Sequence, residues 1–407
     1  MLGQVKDIRR IQMDTMIKQE RKISPTLTLL ALAVSAFAIG STEFISVGVM
    51  PLIMQTFHVS LATAGLTVSV YAAGVMIGAP IFTSLTSRVP RKVLLLSIMI
   101  TFIIGNLITA VAPIFSILLV GRVVAAFAHG LFMSVATVIA ASVVDPMRRA
   151  SAIATMFTGL TVATVTGVPL GTFIGQHASW RISFIVIALI GLVGLISNII
   201  LVPKELPMPA KIKRGSLMRM IKAPVVLLSL IVTAVGYGSS FPVYSYMTTI
   251  ISDQGWSDSA SVIILIIYGL AVAIGNTIGG RVANEKPLKV LMMMFGSMIP
   301  MMLLMLIGLQ AQIFGLILII VMGLLAFMNV PGLQLFTMQA AEKYTPNDVQ
   351  MASAFNIAAF NLGIMVGSYV GGIVADGVSL YLTPVAGAIM ATVALGLTWL
   401  LNRLHTD

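Results

Sequence analysis

Apolar residues fall in long blocks separated by short polar breaks. Twelve blocks stand out, at 27–48, 63–84, 93–112, 115–141, 150–175, 181–202, 224–251, 259–281, 288–309, 311–340, 351–376 and 380–402. A helix that crosses a bilayer needs about 20 apolar residues. Runs of this length with almost no charge are read as membrane spans and not as the interior helices of a soluble domain. Glycine, proline and serine inside them are tolerable because neighbouring helices re-satisfy the backbone. The pattern predicts twelve transmembrane helices.

Charge placement gives an independent check. With the N-terminus set in the cytoplasm, every lysine and arginine except Arg122 and Arg181 falls on the cytoplasmic side of this twelve-span scheme. A missed or invented span would flip the parity and scatter them, against the positive-inside rule. Composition agrees: 9% of the 407 residues are charged, where a soluble domain carries about 25%. The net charge of +11 therefore points to the membrane surface and not to nucleic acid. Cysteine is absent, which excludes disulfide frameworks, thiolate nucleophiles and cysteine metal sites.

The polar stretch from Pro203 to Pro224, rich in proline and basic residues, divides the chain. On either side the text repeats. A shift of 197 residues pairs Tyr71 with Tyr268, Gly78 with Gly275, Pro90 with Pro287 and Lys92 with Lys289. A shift of 202 pairs Ala150-Ser151-Ala152 with Ala352-Ser353-Ala354. Chance similarity between apolar sequences accounts poorly for matches at Gly, Pro, Tyr and Lys, so duplication is the better reading. The predicted fold is an all-α polytopic membrane protein of two pseudo-symmetric six-helix bundles. Its parts are a basic cytoplasmic tail (1–26), an N-terminal bundle (27–202), a cytoplasmic central loop (203–223), a C-terminal bundle (224–402) and a short cytoplasmic tail (403–407). Two parallel repeats with a site near the membrane midplane form a known transporter plan. The N-terminal tail reads as a solvated basic segment in preference to an interfacial amphipathic helix built on Ile8, Ile11 and Met16. No cleavable signal peptide is evident, since the first apolar run merges into the first span.

Several stretches resemble the major facilitator superfamily. Leu85-Thr86-Ser87-Arg88-Val89-Pro90-Arg91-Lys92 is similar to its signature loop, L-A-D-R-x-G-R-K; Arg88, Arg91 and Lys92 match, while Ser87 replaces the aspartate and Pro90 the glycine. Arg122 matches the buried arginine of a second signature, and Gly167-Val168-Pro169-Leu170-Gly171 is similar to the glycine-proline motif associated with antiporters. Thr42-Glu43-Phe44, Ala128-His129-Gly130 and Trp180-Arg181 resemble the arabinose-efflux-permease-like branch, which includes chloramphenicol, sugar and purine efflux proteins. The resemblance implies the fold of that superfamily and a conformational role for Gly78, Arg88, Arg91, Lys92, Gly167, Pro169 and Gly171. It also implies location in a bacterial cytoplasmic membrane. In the superfamily the missing aspartate helps latch the halves on the cytoplasmic side, so Ser87 implies a weak latch and a resting state open inward.

Among the thirteen acids, Glu43 alone lies deep in a predicted span. An ionisable group there costs at least about 2.5 kcal/mol and usually faces a cavity and a partner. Arg122 sits at similar depth, and two roles fit the pair: proton coupling, or an ion pair locking the first span to the fourth. His129, two turns from Arg122 on the same helical face, fits a proton relay, a substrate ligand or a hydrogen-bonded interhelical histidine. Tyr237, Phe241 and Tyr244 make an aromatic stripe at i, i+4 and i+7, suited equally to packing or to a flat, moderately apolar ligand. Asn329, beside a predicted kink at Pro331, is a further candidate for the substrate cavity, and Asn276 and Asn361 read as interhelical donors.

The leading functional expectation is a secondary transporter, a monomer without cofactor or metal. It would export drug-, sugar- or nucleobase-like molecules by proton antiport with alternating access; proton-coupled uptake is the alternative. A channel would need a charged or carbonyl-lined filter. An ATP-driven pump or membrane hydrolase would need a phosphate loop, a zinc-protease motif or a nucleophile elbow, and the sequence carries none of these.

Overall fold

A computed structural model describes residues 24–86, 89–145, 148–206, 215–283 and 286–406. The expected N-terminal tail up to residue 23, Ser87 and Arg88 of the signature loop, and residues 207–214 of the central loop lie outside the described residues. Among the described residues twelve helices are long and apolar enough to cross a membrane. They are α1 Pro25–Phe57, α2 Leu61–Phe82, α3 Arg91–Val111, α4 Phe115–Ser142, α5 Ala152–His177, α6 Trp180–Leu201, α7 Pro224–Asp253, α8 Asp258–Val282, α9 Pro287–Gly308, α10 Gln312–Tyr344, α11 Met351–Gly377 and α12 Leu380–His405. The side that bears the basic loops is called here the basic face.

Eleven spans end within a few residues of the apolar blocks; α1 runs to Phe57 through Pro51. Proline inside a helix has no N–H to give the carbonyl four residues back, which leaves the Val47 oxygen short of a donor. The Thr248 hydroxyl of α7 supplies one at 2.5 Å. The acceptor that Pro51 empties is thus filled from the other half of the molecule.

The repeat read from the sequence reappears in the helix caps. Ser60 accepts a hydrogen bond from the Thr63 amide at the start of α2, and Ser257, 197 residues on, accepts one from Ala260 at the start of α8. Ser179 and Ser379 likewise accept from Arg181 and Tyr381 at the starts of α6 and α12. Each cap satisfies an amide that a helix start leaves without an intrahelical partner.

Three spans are irregular where the site will lie. Residues Ala163–Gly167 of α5 form a π turn. α7 is interrupted around Ser239-Ser240 and Ser245-Tyr246, and α10 divides at Asn329, two residues before Pro331. The last is the kink that the Asn-Val-Pro-Gly text predicts.

Two apolar cores hold the bundle. One lies wholly in the first six spans, around Leu32, Ile39, Phe102, Phe132 and Phe184. The other fills the last six and recruits Phe44, Val47 and Met50 of α1, Leu61, Ala64 and Val68 of α2 and Val168 of α5. These recruits lie in the parts of their helices away from the basic face, where hydrogen bonds also cross between the halves. Thr248 reaches Val47 there, and the Asp376 carboxylate of α11 accepts the Ala62 amide of α2 at 3.0 Å.

The central loop is not wholly free. Ser216–Ile221 forms a short helix, and Arg219 grips the buried Asp348 at the start of α11 with Nε–Oδ2 2.6 Å and a second bond of 2.7 Å to Oδ1. Ser216 also donates to that carboxylate at 2.6 Å. The bond to Asp348, together with its charge, holds the Arg219 guanidinium above its ordinary range, against a smaller opposing effect of burial. The linker is therefore anchored to the second half.

Candidate functional site

Arg122 of α4 is fully buried, and its donors go chiefly to backbone, with a longer contact of 3.4 Å from Nη1 to the Thr42 hydroxyl. Nε donates to the Thr67 carbonyl of α2 at 3.1 Å, Nη1 to the Thr42 carbonyl of α1 at 2.7 Å, and Nη2 to the Glu43 carbonyl at 3.1 Å. A helix carbonyl already serving its own ladder keeps a second lone pair, so this fork binds three helices without unwinding any. Thr42 in turn donates to Asn106 of α3 at 2.5 Å. The ring of Tyr71 lies 4.1 Å from the guanidinium carbon, a cation–π contact in a desolvated setting. The Tyr71 hydroxyl shares a 3.1 Å hydrogen bond with His129 Nδ1. Arg122, Tyr71 and His129 thus form one continuous cluster.

The lock expected between Glu43 and Arg122 does not take the form of an ion pair. Among the described residues the arginine meets the main chain of Glu43, and no side chain hydrogen-bonds the carboxylate. The reason is geometric: a guanidinium turned onto three carbonyls has no edge left for a bidentate carboxylate. Glu43 is partly accessible, while Thr42 and Phe44 beside it are buried. Its carboxylate lies within Coulombic reach of Arg122, Tyr71, Tyr237 and Tyr244.

The glycine-proline motif of α5 flanks this residue. A Cβ on Gly167 would strike the Ser41 side chain and one on Gly171 the Ile45 side chain, two residues to either side of Glu43. Pro169 opens the α-helical segment that follows the π turn. The motif therefore lets α5 lie close against the acid-bearing stretch of α1. Gly78 performs the same service between α2 and α4, where a Cβ would press on Phe127.

The aromatic stripe of α7 survives the breaks in that helix. Tyr237 and Phe241 have ring centroids 5.2 Å apart, and Phe241 and Tyr244 5.5 Å. Phe44 approaches from the first half, 5.6 Å from Tyr244 and edge-on, so the stripe adjoins the residue next to Glu43. Phe327 of α10, Phe360 of α11 and Tyr268 of α8 complete the cluster. Asn329 is buried two residues from Phe327 with its side-chain oxygen unpartnered, as is that of Asn361.

Other expectations fare differently. Asn361 donates to Ile357 of its own helix, so the interhelical role inferred for it is not what the structure shows; the Asn276 side chain makes no hydrogen bond among the described residues. Lys92 donates to the Ile199 and Val202 carbonyls at 2.8 and 2.5 Å, capping the end of α6 within its own half, and Arg91 opens α3. Residues that the sequence did not flag include Tyr71 as a bridge, Thr42 with Asn106, and a network joining Thr233, Gln334, Thr337, Ser353 and Asn356. Tyr71 was visible only as half of a repeat pair; Gln334 and Asn356 offered the signal of amides inside apolar runs.

Comparison with known proteins matches this geometry. The sequence pattern of the Major Facilitator Superfamily covers residues 32–346. An uncharacterized MFS-type transporter of Bacillus subtilis (strain 168), YtbD, is 50% identical over 371 residues, 91% of this chain and 94% of its own length. The inner membrane transport protein YdhP of Escherichia coli (strain K12) is 36% identical over 92% of this chain and 96% of its own. Among solved structures, the D-xylose-proton symporter superposes with a TM-score of 0.74 at 13% identity, covering 92% of this chain and 97% of that one. A bacterial homologue of the human lysosomal transporter Spinster, in an inward-facing and unoccupied conformation, gives 0.72 at 16% identity, covering 95% and 98%. Such identities establish the fold alone, whereas the pattern match and the two relatives establish kinship. With twelve spans and this kinship, the chain belongs to the Major Facilitator Superfamily and is a multi-pass membrane transporter.

Proposed function

We propose that this transporter exports small organic molecules of drug-, sugar- or nucleobase-like size by exchanging them for protons. The observation that carries the reading is Glu43: a half-buried acid in a span whose carboxylate is bonded to no side chain among the described residues, beside an arginine whose donors go chiefly to main chain. A carboxylate held in an ion pair resists protonation, while this one is free to take and release a proton as access changes. The aromatic cluster around Tyr237, Phe241 and Tyr244 adjoins it through Phe44, so cargo resting on the rings would compete with, or follow, the protonation of Glu43.

Closure away from the basic face, through Thr248, Val47, Asp376 and Ala62, supports a resting form open towards the basic side. On the charge pattern that side is the cytoplasm, with both termini there, and the name of YdhP places that relative in an inner membrane. The superfamily plan then has the halves rock about the site. Proteoliposomes with a pH-sensitive dye inside test the coupling. Added cargo should release or consume protons in wild type and do neither in Glu43→Gln with its fold intact. Proton movement in the same direction as cargo would assign uptake by symport instead.

A further inference from the structure

A cavity of about 420 Å³ lies apart from the polar and aromatic clusters, between α2, α7, α11 and α12. Its walls include Met76 and Pro80 of the first half, and Leu227, Ala234 and Ala359 of the second. Every residue lining it is apolar. Sites built for small-molecule recognition carry a few placed polar groups that fix orientation; this one has none. The cavity is open at its rim, where Ile231 and Val366 in the wall are 41% and 38% exposed.

The dimensions single out an occupant. Along α11 the lining runs from Phe355 to Val366, about 16 Å at the helical rise. One leaflet of a hydrocarbon core about 30 Å thick is about 15 Å deep. An apolar slot of that depth suits an extended hydrocarbon chain. Lys222, exposed, lies two residues before Pro224, which opens α7 on the basic side of the span that supplies Leu227 to the wall.

We infer that this crevice binds one acyl chain of an anionic phospholipid from the leaflet on the basic face, with Lys222 meeting the phosphate. Met76 and Pro80 belong to one half and the remaining walls to the other, so the chain sits in the seam between them. A chain seated there resists the approach of α2 to α7 and ties the rocking of the halves to lipid composition.

The test uses the full-length protein, delipidated in dodecyl maltoside and then given dioleoyl phosphatidylglycerol or dioleoyl phosphatidylcholine, with retained lipid counted by native mass spectrometry. Wild type should hold one phosphatidylglycerol. Ala359→Phe, which fills the crevice, should hold none, while Leu189→Phe on the lipid-exposed face of α6 should hold one. Lys222→Gln should keep a lipid yet lose about fivefold of the preference for phosphatidylglycerol. If Ala359→Phe does not fold, bimane on Ile231→Cys, in a chain with no native cysteine, should be quenched saturably by one equivalent of dibrominated phosphatidylglycerol. Wild type retaining no lipid, a folded Ala359→Phe retaining as much as wild type, or unsaturable bimane quenching overturns the inference. Displacement of the lipid by the lipophilic cation tetraphenylphosphonium also overturns it and assigns the crevice to cargo.

Discussion

Tyr71 and Tyr268 occupy equivalent places in the two halves, 197 residues apart. Their surroundings could hardly differ more. Tyr71 lies against the Arg122 guanidinium and shares a hydrogen bond with His129. Tyr268 stacks on Tyr244 at 5.3 Å, and its buried hydroxyl has no partner among the described residues. The same shift explains why: it carries Arg122 onto Ile319 and His129 onto Ala326, both buried and apolar. One ancestral frame, preserved in glycines and serine caps, has thus been given charge in one half and aromatic surface in the other. The division matches the proposed labour, with the proton handled in the first half and the cargo in the second.

The division can be broken from either side. The largest effect is expected for Glu43→Gln, which should reduce pH-gradient-driven transport to the level of protein-free vesicles while cargo binding to the rings persists. A variant that still responds to the gradient would show that the charge lies elsewhere. On the other side, Tyr237→Leu removes the ring that touches Phe241, Phe327 and Phe360. Aromatic pairs are worth about 0.5–1.5 kcal/mol beyond their area, so cargo affinity should fall about tenfold with proton uptake by detergent-solubilised protein unchanged. Loss of proton uptake in that variant would merge the two halves into one site.

Smaller effects should sharpen the picture of how the halves meet. Thr248→Val deletes the donor to Val47. A hydrogen bond contributes about 1 kcal/mol net, and spin-label distances across the face opposite the basic one should show an open population raised about fivefold. Asp376→Asn weakens a carboxylate contact at the start of α2. Charges at helix ends are worth about 0.3–1 kcal/mol, so its shift, read by the same labels, should be about two- to fourfold and should fade in high salt. An equal shift at high salt would assign the contact to shape and not to charge.

Much of this was legible in the chain itself. The spans follow from apolar length, and Glu43 stood out because an acid deep in a span is costly to bury and so needs a partner or a cavity. Arg122 was also visible, but its partners were not, because backbone carbonyls leave no mark in a sequence and any residue could have supplied them. The length of α1 was hidden for a related reason. The apolar block ends at residue 48, yet the helix runs on through Pro51, whose emptied acceptor is filled by Thr248 some two hundred residues away. Asn361 misled in the opposite sense, since an amide in a span suggests a neighbouring helix whereas this one turns back on its own.

The bond between Thr248 and Val47 also has a genetic meaning. Its acceptor belongs to the main chain, so no substitution at Val47 other than one that disturbs the helix removes it. The codons that govern it are those of Pro51, which vacates the oxygen, and Thr248, which claims it. Restoring an amide at position 51 lets α1 close its own ladder, and Thr248 then becomes dispensable. Positions 51 and 248 should therefore drift together among descendants of this chain while the residue physically touched, 47, varies on its own schedule.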